Sequence, residues 1–516
     1  MRQLTSLDAQ FLAIEDGRHY GHVSGLAIYD PSTAPGGVLD ADRVRAVVGE
    51  RMHLLPPFRW RLVEVPFGLD HPYWVDDERF DLEFHVRELA LPAPGSDEQL
   101  AEQVARIFAR PLDRSHPLWE LYVIQGLEGG RVAVFTKIHH AAVDGLSGAE
   151  ILSVLLDVSP EGRDVEAPPA SNRRGERAPG DIEMLGRGLA GLPHQPIRAL
   201  QRLPKTLANL DVLPTMRHIP GAGTLAGATR RVGRIVAPRR DDGGVLEGRR
   251  LKAPRTRFQG RISPHRRIAF GSVSLTEVKA IKNATGTTVN DVVMATCAGA
   301  MRSFLLAHDE LPAEPLVTMV PVSVRTPEQL GTFGNRVSTM IVELPTDEPD
   351  PGRRLERMHE TMRSAKERHQ ALPASLLQDA NEIIPPALFA RASRVTARLA
   401  VTRGLEAPTN LVISNVPGFP MPVYLAGARL EAQYPISAII DGVGMNITLL
   451  SYRDQLDFGI VADREMLDEA WDLIDRLKVA HTEMLTLAAK PPKRTQRNGT
   501  SAPSVATAEA LLQPER

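Results

Sequence analysis

Apolar and polar residues alternate over residues 132–139, and this alternation ends at a pair of histidines, His139 and His140. A period of two residues predicts a β-strand. Further on, residues 147–150 have the Ser-x-x-Glu spacing of a capping box, and apolar residues recur at helical period over 151–156. Adjacent strand residues point to opposite faces, so we expect the two histidines to have different roles. A side chain at the end of a rigid strand is held by the scaffold and still open to substrate.

The rest of the pattern predicts helices and strands that alternate along the chain. Helices are predicted in four longer segments. Residues 39–54 and 98–110 have the pattern of amphipathic helices, and residues 353–370 and 464–487 are predicted to be helices rich in charge on one side. Strands are predicted over 23–29, 267–270 and within 434–462, with turns at Asp441-Gly442 and Arg453-Asp454. The fold class that we predict is therefore mixed α/β.

Two helix starts and one aromatic segment add detail to this prediction. Ser6 or Asp8 is expected to cap a short first helix, and Asn290 or Asp291 a helix that buries Cys297. The aromatic residues between positions 56 and 92 are expected to pack in the core of the first domain. They are Phe58, Trp60, Phe67, Tyr73, Trp74, Phe80 and Phe84.

Composition changes between about residues 159 and 255, where prolines, glycines and arginines accumulate. Such a segment is typical of a crossover between domains. Its amphipathic stretches are either parts of a solvated linker or a basic surface for anionic lipid headgroups or the phosphates of CoA. We expect four parts: an N-terminal domain at 1–160, the crossover at 161–254, a C-terminal domain at 255–488 and a disordered tail at 489–516.

Bulk composition excludes several classes of protein. The 516 residues contain 43% hydrophobic and 24% charged residues, as in an ordinary globular protein, and a net charge of −2 gives no case for nucleic acid binding. A single cysteine excludes an intrachain disulfide and fits a reducing compartment. No signal peptide and no apolar run long enough to span a membrane is present, so we expect an intracellular protein.

The histidine pair has the chemistry of a general base. An imidazole with a pKa near neutrality can accept a proton from a hydroxyl and return it later. Two other interpretations are a purely structural histidine and a metal ligand, but neighbouring strand histidines diverge and no third ligand stands at helical spacing. The full pattern His-His-x-x-x-Asp-Gly, formed by His139, His140, Asp144 and Gly145, should occur by chance in about one chain in a thousand of this length.

This pattern resembles the active-site motif of the CoA-dependent acyltransferase superfamily, which includes chloramphenicol acetyltransferase and peptide-synthetase condensation domains. Further blocks narrow the resemblance to the bacterial wax ester synthase/diacylglycerol acyltransferase family, of the mycobacterial triacylglycerol synthase type. They are Pro117-Leu118-Trp119, the run from Asn290 and Asp291 to Val293, residues 317–325 and 333–338, and the block that contains Ser414 and Asn415. These blocks follow the order of that family from about residue 4 to residue 480.

The resemblance implies two chloramphenicol-acetyltransferase-like domains with mixed sheets and an active-site tunnel between them. It implies transfer of an acyl group from acyl-CoA to diacylglycerol or a long-chain alcohol, with acyl-CoA as a co-substrate and no cofactor or metal. His140 is then the general base, Asp144 pairs with an arginine, His139 fixes the loop or lines the channel, and Gly145 permits the close turn. Candidates for substrate binding or for the oxyanion are Asn290, Asp291, Ser414, Asn415, Pro117, Leu118 and Trp119.

Two other functions remain open from the residues alone. One is a condensation-type or polyketide-associated acyltransferase that uses carrier-bound acyl groups. The other is a non-catalytic lipid-binding protein, which would predict a degraded motif. For the enzyme we expect a cytoplasmic location, with peripheral attachment to the inner face of the plasma membrane or to lipid inclusions.

Overall fold

The computed structural model describes residues 1–143, 151–166, 179–191, 251–323, 337–370 and 409–489. Within these ranges the protein is mixed α/β, with two six-stranded sheets, a three-stranded sheet and helices packed on them. The two large sheets lie at the centres of two domains, which confirms the predicted fold class. Asp144, Gly145, the segment 147–150, most of the basic crossover and nearly all of the tail lie outside the described residues.

The first large sheet has the order β12-β13-β2-β7-β6-β5. Its strands are β2 (His22–Asp30), β5 (Val86–Ala90), β6 (Trp119–Gln125), β7 (Val132–His139), β12 (Tyr424–Leu425) and β13 (Ala428–Ile436). Only the β5–β6 pair among them is parallel. Strand β7 begins and ends where the alternation predicts, whereas β12 and β13 reach this sheet from the C-terminal half of the chain. A small sheet of β1 (Arg2–Gln3), β4 (Tyr73–Asp76) and β3 (Trp60–Val63) accompanies it.

The second large sheet has the order β10-β9-β11-β14-β15-β8. Its strands are β8 (Arg266–Ser274), β9 (Leu316–Ser323), β10 (Val337–Leu344), β11 (Leu411–Val416), β14 (Met445–Tyr452) and β15 (Gln455–Asp463). Strand β11 runs parallel to β9 and β14, and the other pairs are antiparallel. The predicted turn at Arg453-Asp454 is confirmed as the two-residue link of the β14–β15 hairpin.

Nine helices with defined bounds occur in the part of the chain that the structure describes. They are α1 (Ser6–Ile14), α2 (Ala41–Arg51), α3 (Leu82–His85), α4 (Asp97–Phe108), α5 (Asp181–Gly191), α6 (Leu275–Thr285), α7 (Val289–Ala307), α8 (Pro351–Gln370) and α9 (Ala470–Ala488). Residues 151–155 are also helical. None of the helices in these described ranges is both long and apolar enough to cross a membrane.

The caps of two helices differ from the sequence prediction. Thr5, not Ser6 or Asp8, is the N-cap of α1, and Thr288, not Asn290 or Asp291, is the N-cap of α7. In both helices the threonine accepts a backbone N–H of the third helical residue, and the aspartate there accepts the N–H of the threonine. Each aspartate is thus the second member of a capping box, in which its carboxylate accepts the return hydrogen bond from the N-cap backbone.

Separate apolar clusters cover the two faces of the first sheet, and another fills the second domain. Phe58 and Trp74 are buried in the first domain, as predicted, and Cys297 is fully buried in α7. The prediction is wrong for Phe67, which is 83% exposed. Phe67 lies in a 3₁₀ turn between β3 and β4 with φ of 60°, so its side chain projects away from the sheet.

The two large sheets approach each other where β13 lies beside β15. A Cβ atom on Gly459 would lie 1.8 Å from the carbonyl oxygen of Pro435, so only glycine fits there. Beside this contact, Asp457 accepts hydrogen bonds from the Ser272 hydroxyl at 2.6 Å and from the Gln433 N–H at 2.8 Å. Burial raises the pKa of the Asp457 carboxyl to about 6 despite these hydrogen bonds.

Candidate active site

The backbone around the histidine pair is held from both sides of β7. The N–H of His139 donates to the Leu118 carbonyl at 2.9 Å, and the N–H of His140 donates to the Gly21 carbonyl at 2.8 Å. The N–H of Ala142 then turns back to the carbonyl of His139 at 2.9 Å. The strand therefore passes directly into a hydrogen-bonded turn, so the two side chains start from a fixed backbone.

His139 is buried, with 1% of its surface exposed, on the face of β7 that packs against α4. Its Nδ1 accepts the backbone N–H of Ala141 at 3.0 Å, so Nδ1 carries no proton and the neutral ring bears its proton on Nε2. That Nε2 lies 3.3 Å from Oε1 of Glu15. Both ring nitrogens of His139 thus face protein groups.

Glu15 follows the last residue of α1 and is largely buried beside His139. Its Oε1 accepts the Gly21 N–H at 2.8 Å, and its Oε2 accepts a hydrogen bond from Arg114 at 3.0 Å. Burial alone would raise the pKa of this carboxyl, but His139, Gly21 and Arg114 together lower it to about 2. Glu15 therefore remains a carboxylate at neutral pH.

Gly21 lies in the space between Glu15 and the ring of His139. A Cβ atom at this position would be 2.6 Å from His139 Nε2 and 3.0 Å from the carbonyl oxygen of Phe11. Glycine is therefore required for close approach to the imidazole.

His140 is partly exposed and has different surroundings from His139. Its ring stacks on Phe11 of α1, with centroids 4.2 Å apart and an interplanar angle of 5°. Phe11 packs against the apolar cluster on the opposite face of the sheet from α4. The two histidines therefore lie on opposite faces, as the alternation of a strand predicts, and His140 is the more accessible of them.

Two further basic side chains, His22 and Lys137, are buried near His139. His22 lies opposite it in register on β2, and its Nε2 donates to the Phe108 carbonyl at 2.7 Å. Burial, with the nearby Lys137 charge, holds the pKa of His22 well below its usual value. Lys137 donates to the Ile107 carbonyl at 3.2 Å and lies 3.6 Å from Glu120, and burial lowers its pKa to about 8. These contacts join the end of α4 to the histidine strand.

The segment Pro117-Leu118-Trp119 lies beside the histidine strand. Leu118 provides the carbonyl that accepts the His139 N–H, and Trp119 faces Ile138 in the β6–β7 pair. The buried indole of Trp119 stacks on Phe58 at 4.3 Å and on His85 at 4.4 Å between ring centroids. These contacts show how the segment packs against and aligns the end of β7.

The candidates from the C-terminal half belong to β11 of the second large sheet and to helix α7, which packs in the same domain. Asp291 is buried and accepts from the Thr288 N–H at 2.9 Å and contacts His359 Nδ1 at 2.7 Å. Both contacts are made by Oδ2, so this oxygen of Asp291 is engaged in the cap of α7 and in the contact with His359. Asn415 of β11 and Val289 at the start of α7 line one groove of about 360 Å³. The structure therefore brings together the blocks that contain Asn290 and Asn415, with Ser414 beside them on β11.

Sequence reasoning did not find Glu15, Gly21, Phe11 or Arg114 as site residues. Each is distant in sequence from the motif or belongs to a turn without a recognisable pattern, so only the fold brings it to the histidines. Within the described ranges, no cluster of three or more metal-ligating side chains is present.

Comparisons with known proteins agree with this architecture. The family model "Wax ester synthase/diacylglycerol acyltransferase catalytic domain" matches residues 4–293, and "WS/DGAT C-terminal domain" matches residues 333–485. A Mycobacterium tuberculosis protein named "putative diacylglycerol O-acyltransferase" is 34% identical over 494 residues, covering 96% of this chain and 92% of its own. A Mycobacterium bovis protein of the same description is 33% identical over 477 residues, covering 91% and 96%.

One solved structure gives the same family assignment, and a second shares the fold. The wax ester synthase/diacylglycerol acyltransferase from Marinobacter aquaeolei VT8 matches with a TM-score of 0.66 and 30% identity, over 95% of this chain and all of its own. The first condensation domain of the calcium-dependent antibiotic synthetase shares the fold, with a TM-score of 0.53 and 18% identity, over 95% of this chain and 97% of its own. The chain therefore belongs to the wax ester synthase/diacylglycerol acyltransferase family and is an acyltransferase.

Proposed function

We propose that the protein transfers the acyl group of acyl-CoA to a lipid hydroxyl, either that of diacylglycerol, giving triacylglycerol, or that of a long-chain alcohol, giving a wax ester. The observation that carries the proposal is the placement of His140, a partly exposed imidazole at the end of a rigid strand. The names of the related proteins supply the classes of acceptor.

His140 acts as the general base in this proposal. It removes the proton of the acceptor hydroxyl while the hydroxyl oxygen attacks the thioester carbonyl. The C–O bond forms, the C–S bond breaks, and the thiolate of CoA receives the proton from the imidazolium. Positioning and proton removal suffice because a thioester is already activated.

Direct transfer in a ternary complex fits the state of the single cysteine in the sequence. Cys297 is fully buried, and burial raises the pKa of its thiol to about 12. A thiol in this state is a poor nucleophile. Acyl transfer through a cysteine thioester is therefore disfavoured.

His139 is assigned a structural role because both of its ring nitrogens face protein groups. Asn290, Ser414 and Asn415 remain the proposed donors for the oxyanion of the tetrahedral intermediate. Asp144 and Gly145 lie outside the described residues, and the roles that the family resemblance implies for them stay predictions. The active site would then be a tunnel between the domains, with CoA and the acceptor entering from different sides.

Attachment to a lipid surface is part of the proposal. Phe67, 83% exposed, belongs to the turn against which α5 packs, and α5 exposes 88% of Ile182 and 52% of Leu189. Apolar side chains exposed on adjacent elements suit insertion at a lipid boundary. Replacing Phe67 and Ile182 by serine should reduce flotation with triacylglycerol emulsions, whereas unchanged flotation would remove this support.

The test of the activity is release of free CoA from palmitoyl-CoA, with diacylglycerol and hexadecanol supplied separately. His140→Ala should abolish release that depends on the acceptor, and the better acceptor identifies the product. If release does not depend on an acceptor, or survives in His140→Ala, the proposal is wrong.

A further inference from the structure

The groups that face the Glu15 carboxylate carry protons to donate. Oε1 accepts the Gly21 N–H at 2.8 Å and lies 3.3 Å from His139 Nε2, while Oε2 accepts from Arg114 at 3.0 Å. An ionised carboxylate accepts on both oxygens, whereas an amide has one oxygen and one NH₂ group. A glutamine at position 15 would therefore direct its NH₂ group either at Arg114 or at the Gly21 N–H and His139 Nε2, and both sides carry donors.

We propose that Glu15 is a positioning residue for the acyl transfer reaction. It holds His139 in the Nε2–H tautomer and thereby fixes the turn that carries His140. The inference rests on the proposed function, since it concerns the placement of the general base. Glu15 acts through its contacts with His139 and Gly21 and does not itself contact the substrate.

Two backbone links transmit the position of Glu15 to His140. Gly21 donates its N–H to Glu15 and accepts the His140 N–H at 2.8 Å through its carbonyl. On the other side, the His139 ring accepts the N–H of Ala141, the residue that follows His140. A shift of the His139 ring or of Gly21 therefore moves the backbone on either side of the general base.

Glu15 is itself firmly anchored. Arg114, which binds its Oε2, also donates to the Leu12 carbonyl within α1 at 2.7 Å. The loop that follows Glu15 is tied to the second domain, because Arg18 donates to Asp441 at 3.2 Å and to the Ile262 carbonyl at 3.0 Å. Arg114 holds the side chain of Glu15, and Arg18 holds the loop that follows it. The carboxylate therefore has a fixed position and can define the orientation of the imidazole beside it.

The first test compares Glu15→Gln with Glu64→Gln in the full-length enzyme. Glu64 is the matched control because it also contacts Arg114, at 3.2 Å, but is largely exposed. Glu15→Gln should lower kcat at least about tenfold, less than the roughly 10²–10⁴-fold contribution of a general base. KM for palmitoyl-CoA and for the acceptor should change little, and Glu64→Gln should retain wild-type kcat.

A second substitution separates positioning from loss of stability. Arg114→Met removes the donor that faces Oε2, so the amide of Glu15→Gln can then turn its oxygen toward Gly21 and His139. The double variant should therefore have a higher kcat than Glu15→Gln alone, although it also lacks the hydrogen bonds of Arg114 to the Leu12 carbonyl and to Glu64. A double variant no more active than Glu15→Gln, or a wild-type kcat in Glu15→Gln, would overturn the proposal.

A readout independent of activity is the ¹⁵N chemical shift of the histidine ring nitrogens, with His139 assigned from the spectrum of His139→Gln. The wild type should show a protonated Nε2 and an unprotonated Nδ1 on His139, and Glu15→Gln should disturb this pattern. An unchanged pattern in Glu15→Gln would refute the role of Glu15 even if the enzyme had no acyl transfer activity. Conversely, absence of acceptor-dependent CoA release in the wild type would refute the proposed function and leave this measurement valid.

Discussion

Replacement of Gly21 by alanine should displace the His139 ring while leaving the chemistry of the site intact. The new methyl group would lie 2.6 Å from Nε2 and 2.9 Å from Cε1 of His139, and 3.0 Å from the Phe11 carbonyl oxygen. The backbone of Gly21 is not in the left-handed region, so alanine is tolerated by the main chain and the effect comes from crowding alone.

The distances set the size of the effect. Unstrained non-bonded contacts are about 3.5–4.0 Å, so the ring must move by about 1 Å. A misplacement of about 1 Å in an active site can lower the rate roughly 10²-fold. Overpacking of this kind also costs about 1–3 kcal/mol of stability. We therefore expect a large loss of kcat with a moderate loss in the free energy of unfolding.

The assay is acceptor-dependent CoA release, with urea unfolding of the same samples. Gly17→Ala is the matched control, since a Cβ atom at Gly17, in the same loop, meets no atom within 4 Å. Gly17→Ala should retain wild-type kcat and stability. If Gly21→Ala were as active as Gly17→Ala, the close packing of Gly21 on His139 would not govern the placement of the base.

Three further outcomes follow from the structure. Trp119→Phe keeps an aromatic ring but removes the Nε1 hydrogen bond to the buried Phe58 carbonyl, 2.8 Å away, and should lower the free energy of unfolding by about 1–3 kcal/mol in urea titrations. Cys297→Ala should leave kcat for CoA release unchanged, because the thiol is fully buried. Loss of activity in this variant would instead support transfer through a cysteine thioester. The pKa of Asp457 rises from 3.8 to about 6 on burial, so the folded protein holds a proton that the unfolded chain releases in this range. Below pH 3.8 Asp457 is protonated in both states and does not reduce the stability. As the pH rises from 3.8 to about 6, the free energy of unfolding falls by about 3 kcal/mol, because the buried carboxyl ionises less readily than the exposed one. Urea titrations should show the stability of wild type falling relative to Asp457→Asn across this window, and a constant difference would contradict the assignment.

The histidine strand could be predicted from sequence because its signal is local. Alternation over eight residues defines both the bounds of β7 and the opposite orientations of His139 and His140. The contacts that orient the rings could not be predicted in this way. Glu15 and Phe11 lie more than a hundred residues before the motif, and nothing in their own segment identifies them as site residues.

The wrong predictions about helix caps also have a local physical reason. Thr, Ser, Asp and Asn all favour the N-cap, so a run containing several of them does not by itself identify the cap. In α1 and α7 the aspartate is retained at the third position by the reciprocal hydrogen bond, and the threonine before it takes the cap. Strands β12 and β13 come from the C-terminal half of the chain and join the first sheet, where β13 pairs with β2. Periodicity cannot specify such a long-range pairing.

Gly21→Ala and Glu15→Gln disturb the same imidazole by different means, one by crowding and the other by directing a donor at a donor. Effects of substitutions that share one partner do not add, whereas effects at separate sites do. If the His139 ring is the common intermediary, the double variant should lose much less activity than the product of the two single losses. The stability losses need not follow the same rule, because the methyl group and the amide also disturb Phe11 and Arg114 separately. A fully multiplicative loss of kcat would mean that Gly21 and Glu15 act on the base by independent routes, and the placement of His140 would then have to be explained without His139.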